Sequence, residues 1–342
     1  MSTSTMRKVL ITGAGDSSNV QVVTSTISAP APNHVQVKVL YSGFSGADIQ
    51  MRLGTYYKQA KGPITPGYVL VGRVHLNGSG CTRFKPGDMA VCLSVYDAEA
   101  ELANMPEKFL IAVPDNLDIQ QACALTLDWN TAYGMIHRSA KVAKGQRVFI
   151  HGLSGAVGYA LMKLSQLQGA EVYGTASERN HDALRKEGAN PFVYKNKDWI
   201  MAMNAIGGAH AVFDALGFES WDESFSILPK EGGTLVGFGG NLPMLTGEKP
   251  KSMVMAVTKL LARNANPFCP NKTIFYTIAR DQDTFEPELK ELFKLNQEGK
   301  IHVPIRKIWS LEEVPEAHRT WSSAGGIGSV LVKVQEDEGV KA

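Results

Sequence analysis

The chain has 342 residues, enough for two domains at roughly 100–200 residues each. Lys and Arg number 35 against 33 Asp and Glu, a formal charge of +2, so no strong field draws the chain to nucleic acid or to an anionic membrane. With 44% hydrophobic and 20% charged residues, the composition is that of a globular chain and excludes a disordered one.

The run Met1 to Lys8 is polar and lacks the apolar region of a signal peptide. Lys8 to Thr12 reads as a strand ending on Gly13-Ala14-Gly15. Asp16 to Asn19 then continue as a turn and Val20 to Thr26 is β-branched, which makes a hairpin rather than a phosphate cradle. Up to about residue 120 short β-rich runs follow, among them Val35 to Tyr41, Val69 to His75 and Met89 to Leu93, broken by Asn77-Gly78 and Lys85-Pro86-Gly87-Asp88. This half reads as an all-β barrel or sandwich. From about 122, helical patterns alternate with strands: Gln121 to Arg138, Arg147 to His151, Ala156 to Gln168, Glu171 to Thr175, Asp182 to Glu187 and Ala211 to Asp214. That alternation signals βαβ units in a parallel sheet. The Met-rich stretch Asn241 to Asn266 reads either as a roof over a lipophilic pocket or subunit contact, or as a solvated face over core residues. After about 270, short strands Thr273 to Ile278 and Ser329 to Val334 flank a helix from Pro287 to Glu298, a tail expected to rejoin the first domain. Glu336 to Ala342 reads as a mobile end. No apolar run approaches the roughly 18 residues of a membrane span, so the expected location is cytoplasmic, with Cys81, Cys92, Cys123 and Cys269 as reduced thiols.

The strongest local signal is the strand Arg147 to His151 feeding Gly152-Leu153-Ser154-Gly155-Ala156-Val157-Gly158 and then an apolar helix. Backbone N–H groups of such a turn, with the helix dipole behind them, suit a pyrophosphate. Gly155 would allow close approach and Gly158 would let the helix pack on the strand. The spacing is GxxGxxG rather than GxGxxG, and the plain alternative is a tight strand-to-helix connection. At the end of the next strand stand Ser177, Glu178 and Arg179, with Tyr194 and Lys195 after the strand beyond. Ser177 and Arg179 would accept a 2′-phosphate, whereas an acidic residue at the strand end would favour NAD. The alternative is that Ser177 is only a helix cap and Arg179 a solvated side chain.

These motifs resemble a known family. Val148 to Gly158, Val212-Phe213-Asp214-Ala215-Leu216-Gly217, Gly232 to Gly239, Gly54-Thr55-Tyr56, Lys85-Pro86-Gly87-Asp88 and Leu127-Asp128-Trp129-Asn130-Thr131-Ala132-Tyr133 look like the zinc-free quinone oxidoreductase/enoyl reductase branch of the medium-chain dehydrogenase/reductase superfamily. The resemblance implies an α/β fold: a GroES-like β-barrel domain over 1–122 and 270–342, and an inserted Rossmann doubly wound parallel-sheet domain over 123–269. The active site is expected in the cleft between them. Zinc-dependent relatives carry a Cys where Ser42 stands here and a His-Glu pair where Pro66-Gly67-Tyr68-Val69 stands, and the four-cysteine lobe is missing, so no zinc is expected. Three further departures bear on cofactor affinity and redox chemistry: Val69 in place of an acidic residue, Asn180 in place of a Lys, and Gly326-Ile327-Gly328-Ser329 without a basic residue before the last strand.

By resemblance the cofactor is NADPH, held by Asn130, Thr131, Gly152, Ser154, Gly155, Ala156, Val157, Gly158, Ser177, Arg179, Tyr194, Phe238 and Gly239. Phe44, Tyr57, Trp129 and Met253 are expected to line a substrate pocket. Without a metal, the acceptor must already be electrophilic, which points to a small lipophilic conjugated carbonyl or a quinone. Tyr56 could donate to its carbonyl oxygen, or could be loop packing with water as the proton source. Asp48 and Asp214 read as structural, and His151 as a satisfied strand-end residue. The alternative function is a non-redox, cyclase-like enzyme or a binding protein on the same scaffold. A homodimer is possible on this reading; nucleic-acid and membrane partners are not expected.

Overall fold

The computed structural model describes residues 3–249, 251–323 and 325–339, so residues 340–342 of the expected mobile end lie outside the described residues. The chain divides into two compact units. Unit 1 takes in the chain up to Asn130, Ala279–Gly325 and the segment from Ser329, and unit 2 takes in Thr131–Ile278 with Gly326–Gly328.

Unit 1 opens with β1 (Thr3–Ile11) and β2 (Val20–Ser28), an antiparallel hairpin across the Gly13–Gly15 turn, as the β-branched run required. Next come β3 (His34–Phe44), β4 (Leu70–Asn77), β5 (Met89–Cys92), β6 (Leu102–Pro106) and β7 (Ile111–Ala112). β3 is the organising strand. Its Val35, Val37 and Val39 are fully buried, a period of two that commits one face to the core. One edge pairs with β4, while the other is shared, His34–Lys38 with β6 and Tyr41–Phe44 with the chain's last strand. Helix Gly46–Leu53 follows β3 behind a capping box. Ser45 N–H donates to Asp48 Oδ2 at 2.8 Å and Ser45 Oγ accepts from Ala47 N at 3.2 Å.

A long helical segment spans residues 119–140. It begins as α-helix Ile119–Ala124, where the Asp118 carboxylate accepts from Gln120 N and Gln121 N, and it widens into π turns at Leu125–Trp129 and Met135–Ala140. The division between the units falls inside this segment, after Asn130.

Unit 2 is a six-stranded, wholly parallel sheet: β8 (Arg147–His151), β9 (Glu171–Ala176), β10 (Asn190–Val193), β11 (Ala211–Asp214), β12 (Thr234–Gly237) and β13 (Lys272–Phe275). The spatial order is β10-β9-β8-β11-β12-β13, the doubly wound arrangement in which the order reverses between β8 and β11. Phe149, Val212, Leu235, Trp199, Met203 and Trp221 bury themselves in its core. The strand expected at 273–278 is thus the sixth strand of this sheet, paired with β12, and not part of the returning tail. Parallel pairing to β12 requires a crossover, and the helix Val254–Ala262 supplies it. The chain then adds helix Phe285–Gln297, β14 (Ile305–Ser310) and β15 (Ser329–Lys333) to unit 1, β15 pairing antiparallel to β3.

Candidate functional site

In an open parallel sheet ligands meet the carboxyl ends of the strands at the point of order reversal. Unit 2 places its glycine turn there, directly after β8. Gly152 has φ +75° and is exposed, and a Cβ on it would meet nothing within 4 Å. Ser154, Gly155, Ala156 and Val157 are half-buried. Gly158 serves packing instead: a Cβ there would stand 2.0 Å from Gly152 O and 2.8 Å from its carbonyl carbon. The turn closes by Gly155 N donating to Gly152 O at 2.9 Å and Leu153 N donating to Thr175 O at 2.9 Å. Helix Ala156–Leu167 starts from Gly155, which has no side chain to satisfy the first-turn N–H groups. Open space in front of Gly152 and a helix N-terminus that no side chain caps together fit a dinucleotide pyrophosphate.

The other expected cofactor residues of unit 2 also collect at strand ends. Ser177 directly follows β9 at the N-cap of the next turn, and its hydroxyl makes no cap bond there. Arg179 beside it is exposed, and Tyr194, just past β10, is 51% exposed. Phe238 and Gly239 follow β12 and are half-buried, Phe238 N donating to Asp214 O at 3.1 Å. Thr131 is buried. The segment Gly326–Gly328 lies over the glycine turn: Gly328 N donates to Ser154 O at 3.0 Å, and Asn180 Nδ2 donates to Gly326 O at 3.4 Å. Asn180, standing where relatives carry a Lys, is therefore 9% exposed and tied to backbone.

A buried polar strut behind the turn is legible only in three dimensions. Asp214, fully buried, accepts from Ser220 Oγ and Ser224 Oγ at 2.7 Å each, and from Leu216 N at 2.7 Å. Ser224 Oγ meets His151 Nε2 at 3.0 Å, His151 Nδ1 meets Thr175 Oγ1 at 3.3 Å, and that hydroxyl accepts from Gly152 N at 3.2 Å. Burial lowers the His151 pKa, so the ring is neutral. The chain of bonds ties β11 and β9 to the first glycine and occupies both Asp214 and His151.

Unit 1 holds the expected acid. Tyr56 Oη donates to Tyr68 Oη at 2.7 Å, with the rings edge-on at 5.9 Å. Burial, first, and then the neighbouring phenol push the Tyr56 pKa above the ordinary tyrosine value, so it stays protonated at neutral pH. Asp48 is fully buried; its Oδ1 accepts from Gly67 N at 3.0 Å, and burial pushes its carboxyl up to about 6. Asn130, 1% exposed, donates through Nδ2 to Phe285 O at 3.3 Å, while its Oδ1 has no hydrogen-bond partner among the described residues. Ser329 Oγ donates to Asp128 Oδ2 at 2.6 Å, so the hydroxyl that opens the last strand is committed to the interior.

The expected pocket residues divide. Tyr57 is 74% exposed. Met253 is half-buried in unit 2 against Gly217 and Gly240, at the ends of β11 and β12. Trp129 is 1% exposed, in a turn packed on helix Phe285–Gln297, and Phe44 is 4% exposed, edge-on to His318 at 5.0 Å and Trp321 at 5.5 Å. These two side chains are buried and packed against their neighbours. Among the described residues no group of three or more His, Cys, Asp or Glu side chains comes together as a metal site, and no helix is long and apolar enough to cross a membrane.

Comparison with known proteins agrees with this geometry. Residues 31–115 match the alcohol dehydrogenase GroES-like domain and residues 188–332 the zinc-binding dehydrogenase family. The chain is 26% identical to the mouse synaptic vesicle membrane protein VAT-1 homolog-like over 97% of this chain and 82% of that one. It is 27% identical to a probable quinone oxidoreductase of Schizosaccharomyces pombe, over 96% and 97% of the two chains. A mycobacterial protein solved in complex with NADPH superposes with a TM-score of 0.81 at 22% identity, covering 96% of this chain and all of that one. With a GroES-like domain, a Rossmann-type parallel sheet and a glycine turn at its switch point, the chain belongs to the medium-chain dehydrogenase/reductase superfamily of oxidoreductases.

Proposed function

We propose that this protein is an NADPH-dependent reductase of a quinone or a conjugated enone, working by direct hydride transfer without a metal. The observation that carries the reading is the glycine turn, whose open face at Gly152 and helix N-terminus without a side-chain cap fit a pyrophosphate. Ser177 and exposed Arg179 support NADPH over NADH, because no acidic side chain ends β9 and a guanidinium is free to pair with a 2′-phosphate. The mycobacterial neighbour solved with NADPH is consistent with that choice. When bound, the cofactor supplies the hydride. The protein must then bind the dinucleotide, orient its ring and meet the charge arriving on the acceptor oxygen.

Asn130, with a buried unpartnered carbonyl oxygen, and Thr131 suit the amide or ribose end of the nicotinamide. Tyr56 suits the acceptor side: a protonated phenol can hydrogen-bond a carbonyl and give up its proton as the enolate or quinol oxygen forms. Ser42 and Val69 offer no metal ligand, so activation of the carbonyl falls to such a donor. The test is NADPH oxidation followed at 340 nm with a quinone and enone panel in chelator-treated buffer, with deuterium from NADPD traced into product. Turnover with label transfer is expected, and Tyr56→Phe is expected to lower kcat by roughly 10²–10⁴-fold with NADPH binding intact. The label is read at the β-carbon of reduced enones, since a quinol's O–D exchanges with water; if no acceptor of the panel oxidises NADPH, the hydride reading falls and a non-redox enzyme or binding protein replaces it.

A further inference from the structure

The hydroxyls of Tyr56 and Tyr68 meet at 2.7 Å, but the two residues are held very differently. Tyr68 is 8% exposed and its backbone is clamped. Gly67 N donates to Asp48 Oδ1 at 3.0 Å, Ser94 Oγ donates to Gly67 O at 3.0 Å, and Val95 N donates to Tyr68 O at 3.1 Å. Gly67 itself has φ +102°, and a Cβ there would lie 2.5 Å from Glu99 N and 2.8 Å from Ala98 Cβ, so the approach to Tyr68 tolerates only glycine. Tyr56, by contrast, is half-buried on the turn after helix Gly46–Leu53, its carbonyl accepting from Gln59 N at 3.2 Å. The third ring of the cluster, Tyr96, stands 6.5 Å from Tyr56 and its hydroxyl accepts from Ala60 N at 3.2 Å. Tyr68 is thus a fixed hydroxyl facing one carried on a turn.

We propose that Tyr68 is a positioning residue for the proton that Tyr56 delivers: it holds the Tyr56 phenol in place and becomes the hydrogen-bond donor to the Tyr56 oxygen as that proton leaves. The inference rests on the role given to Tyr56 above. A phenol carries one proton, and in the resting arrangement Tyr56 spends it on Tyr68. When Tyr56 turns its O–H towards a substrate oxygen, the 2.7 Å contact survives only with Tyr68 as donor. The Tyr56 O–H bond then breaks, an O–H bond forms on the substrate oxygen, and the negative charge left on Tyr56 is met by the Tyr68 O–H until water returns a proton. A hydrogen bond to a charged oxygen is stronger than one between neutral groups, so the contact favours the reacting state over the resting one.

The test is a double-mutant cycle of Tyr56→Phe, Tyr68→Phe and the pair, at saturating NADPH with an acceptor the wild type reduces. Phe keeps the edge-on ring packing and leaves the half-buried Tyr56 hydroxyl to water, so the fold is expected to hold. Tyr68→Phe should lower kcat roughly 10- to 100-fold, with KM and the NADPH dissociation constant within about twofold. In the Tyr56→Phe background it should cost nothing further. A side chain that only packs would cost the same factor in both backgrounds, and that result overturns the proposal, as does a wild-type kcat in Tyr68→Phe. A wild type inactive across the whole panel removes the reading of Tyr56 as well; an active wild type with an unaffected Tyr68→Phe removes Tyr68 alone.

Discussion

Replacing Gly158 by Ala tests whether the glycine turn is held as the structure describes. The added methyl would sit 2.0 Å from Gly152 O and 2.8 Å from the Gly152 carbonyl carbon, so helix and turn must part by more than about 1 Å to reach ordinary contact. Both sides of the clash are backbone, and the turn is pinned by Leu153 N to Thr175 O at 2.9 Å and by the Thr175 hydroxyl on Gly152 N at 3.2 Å. Overpacking of a well-ordered site costs roughly 1–3 kcal/mol, and with no flexible side chain to yield we expect the upper end, about 3 kcal/mol. At roughly 2–4 °C per kcal/mol for a domain of this size, the melting temperature should fall by about 6–12 °C. A displaced turn should also cost NADPH about 100-fold in affinity, at about 1.4 kcal/mol per factor of ten. Gly155→Ala is the internal control. Its methyl would meet only Gly152 O, at 3.2 Å, and its φ of −72° suits any residue, so it should melt within a few degrees of wild type while weakening NADPH. Thermal unfolding and calorimetric titration of both variants decide the matter. A Gly158→Ala protein that melts and binds NADPH like wild type would refute the reasoning.

Arg179→Ala should weaken NADPH at least about tenfold and leave NADH nearly unchanged, since a charge-assisted contact contributes roughly 1.5–3 kcal/mol; equal losses in calorimetry would assign the side chain another role. Elemental analysis of the purified protein should find no stoichiometric metal, because Ser42 and Val69 stand where ligands would, and one tightly held zinc per chain would overturn this. Asp128, buried beside Ser329, has its carboxyl pushed up to about 6, by burial first and in spite of the Ser329 hydroxyl. A folded pKa above the unfolded value of about 3.9 means that the folded state binds the proton more tightly, so this group lowers stability as pH rises from about 4 to about 6. Asp128→Asn removes that term. Its melting temperature should gain on wild type across that window by the equivalent of up to about 3 kcal/mol, and a pH-independent difference would show that Asp128 does not titrate there.

Much of the architecture is legible in the sequence because periodicity and turn chemistry are local. Arg147–His151 and Ala211–Asp214 are strands over the expected residues, and the β-branched run Val20 to Thr26 distinguishes a hairpin from a second phosphate loop. The run Thr273 to Ile278 reads as part of the tail but forms β13 of the parallel sheet, because a short apolar run carries no mark of which sheet it joins. That is settled by the crossover helix before it. For a similar reason the sequence does not distinguish a cavity wall from a core residue at Phe44 and Trp129, both buried here, since an aromatic residue has the same character in either place.

The sequence alone determined the glycine turn, its strand and its helix, since each depends on residue types at short spacing. The tertiary structure decided which side chains those elements bring together. Asp214, Ser224, His151 and Thr175 form one strut under Gly152 because parallel pairing of β8 with β9 and β11 aligns positions 24 to 73 residues apart. Tyr68 stands against Tyr56 because Gly67 takes a left-handed turn that Ala98 and Glu99 enclose. A hydroxyl's partner is set by the path of the whole chain, and no window of sequence contains that path.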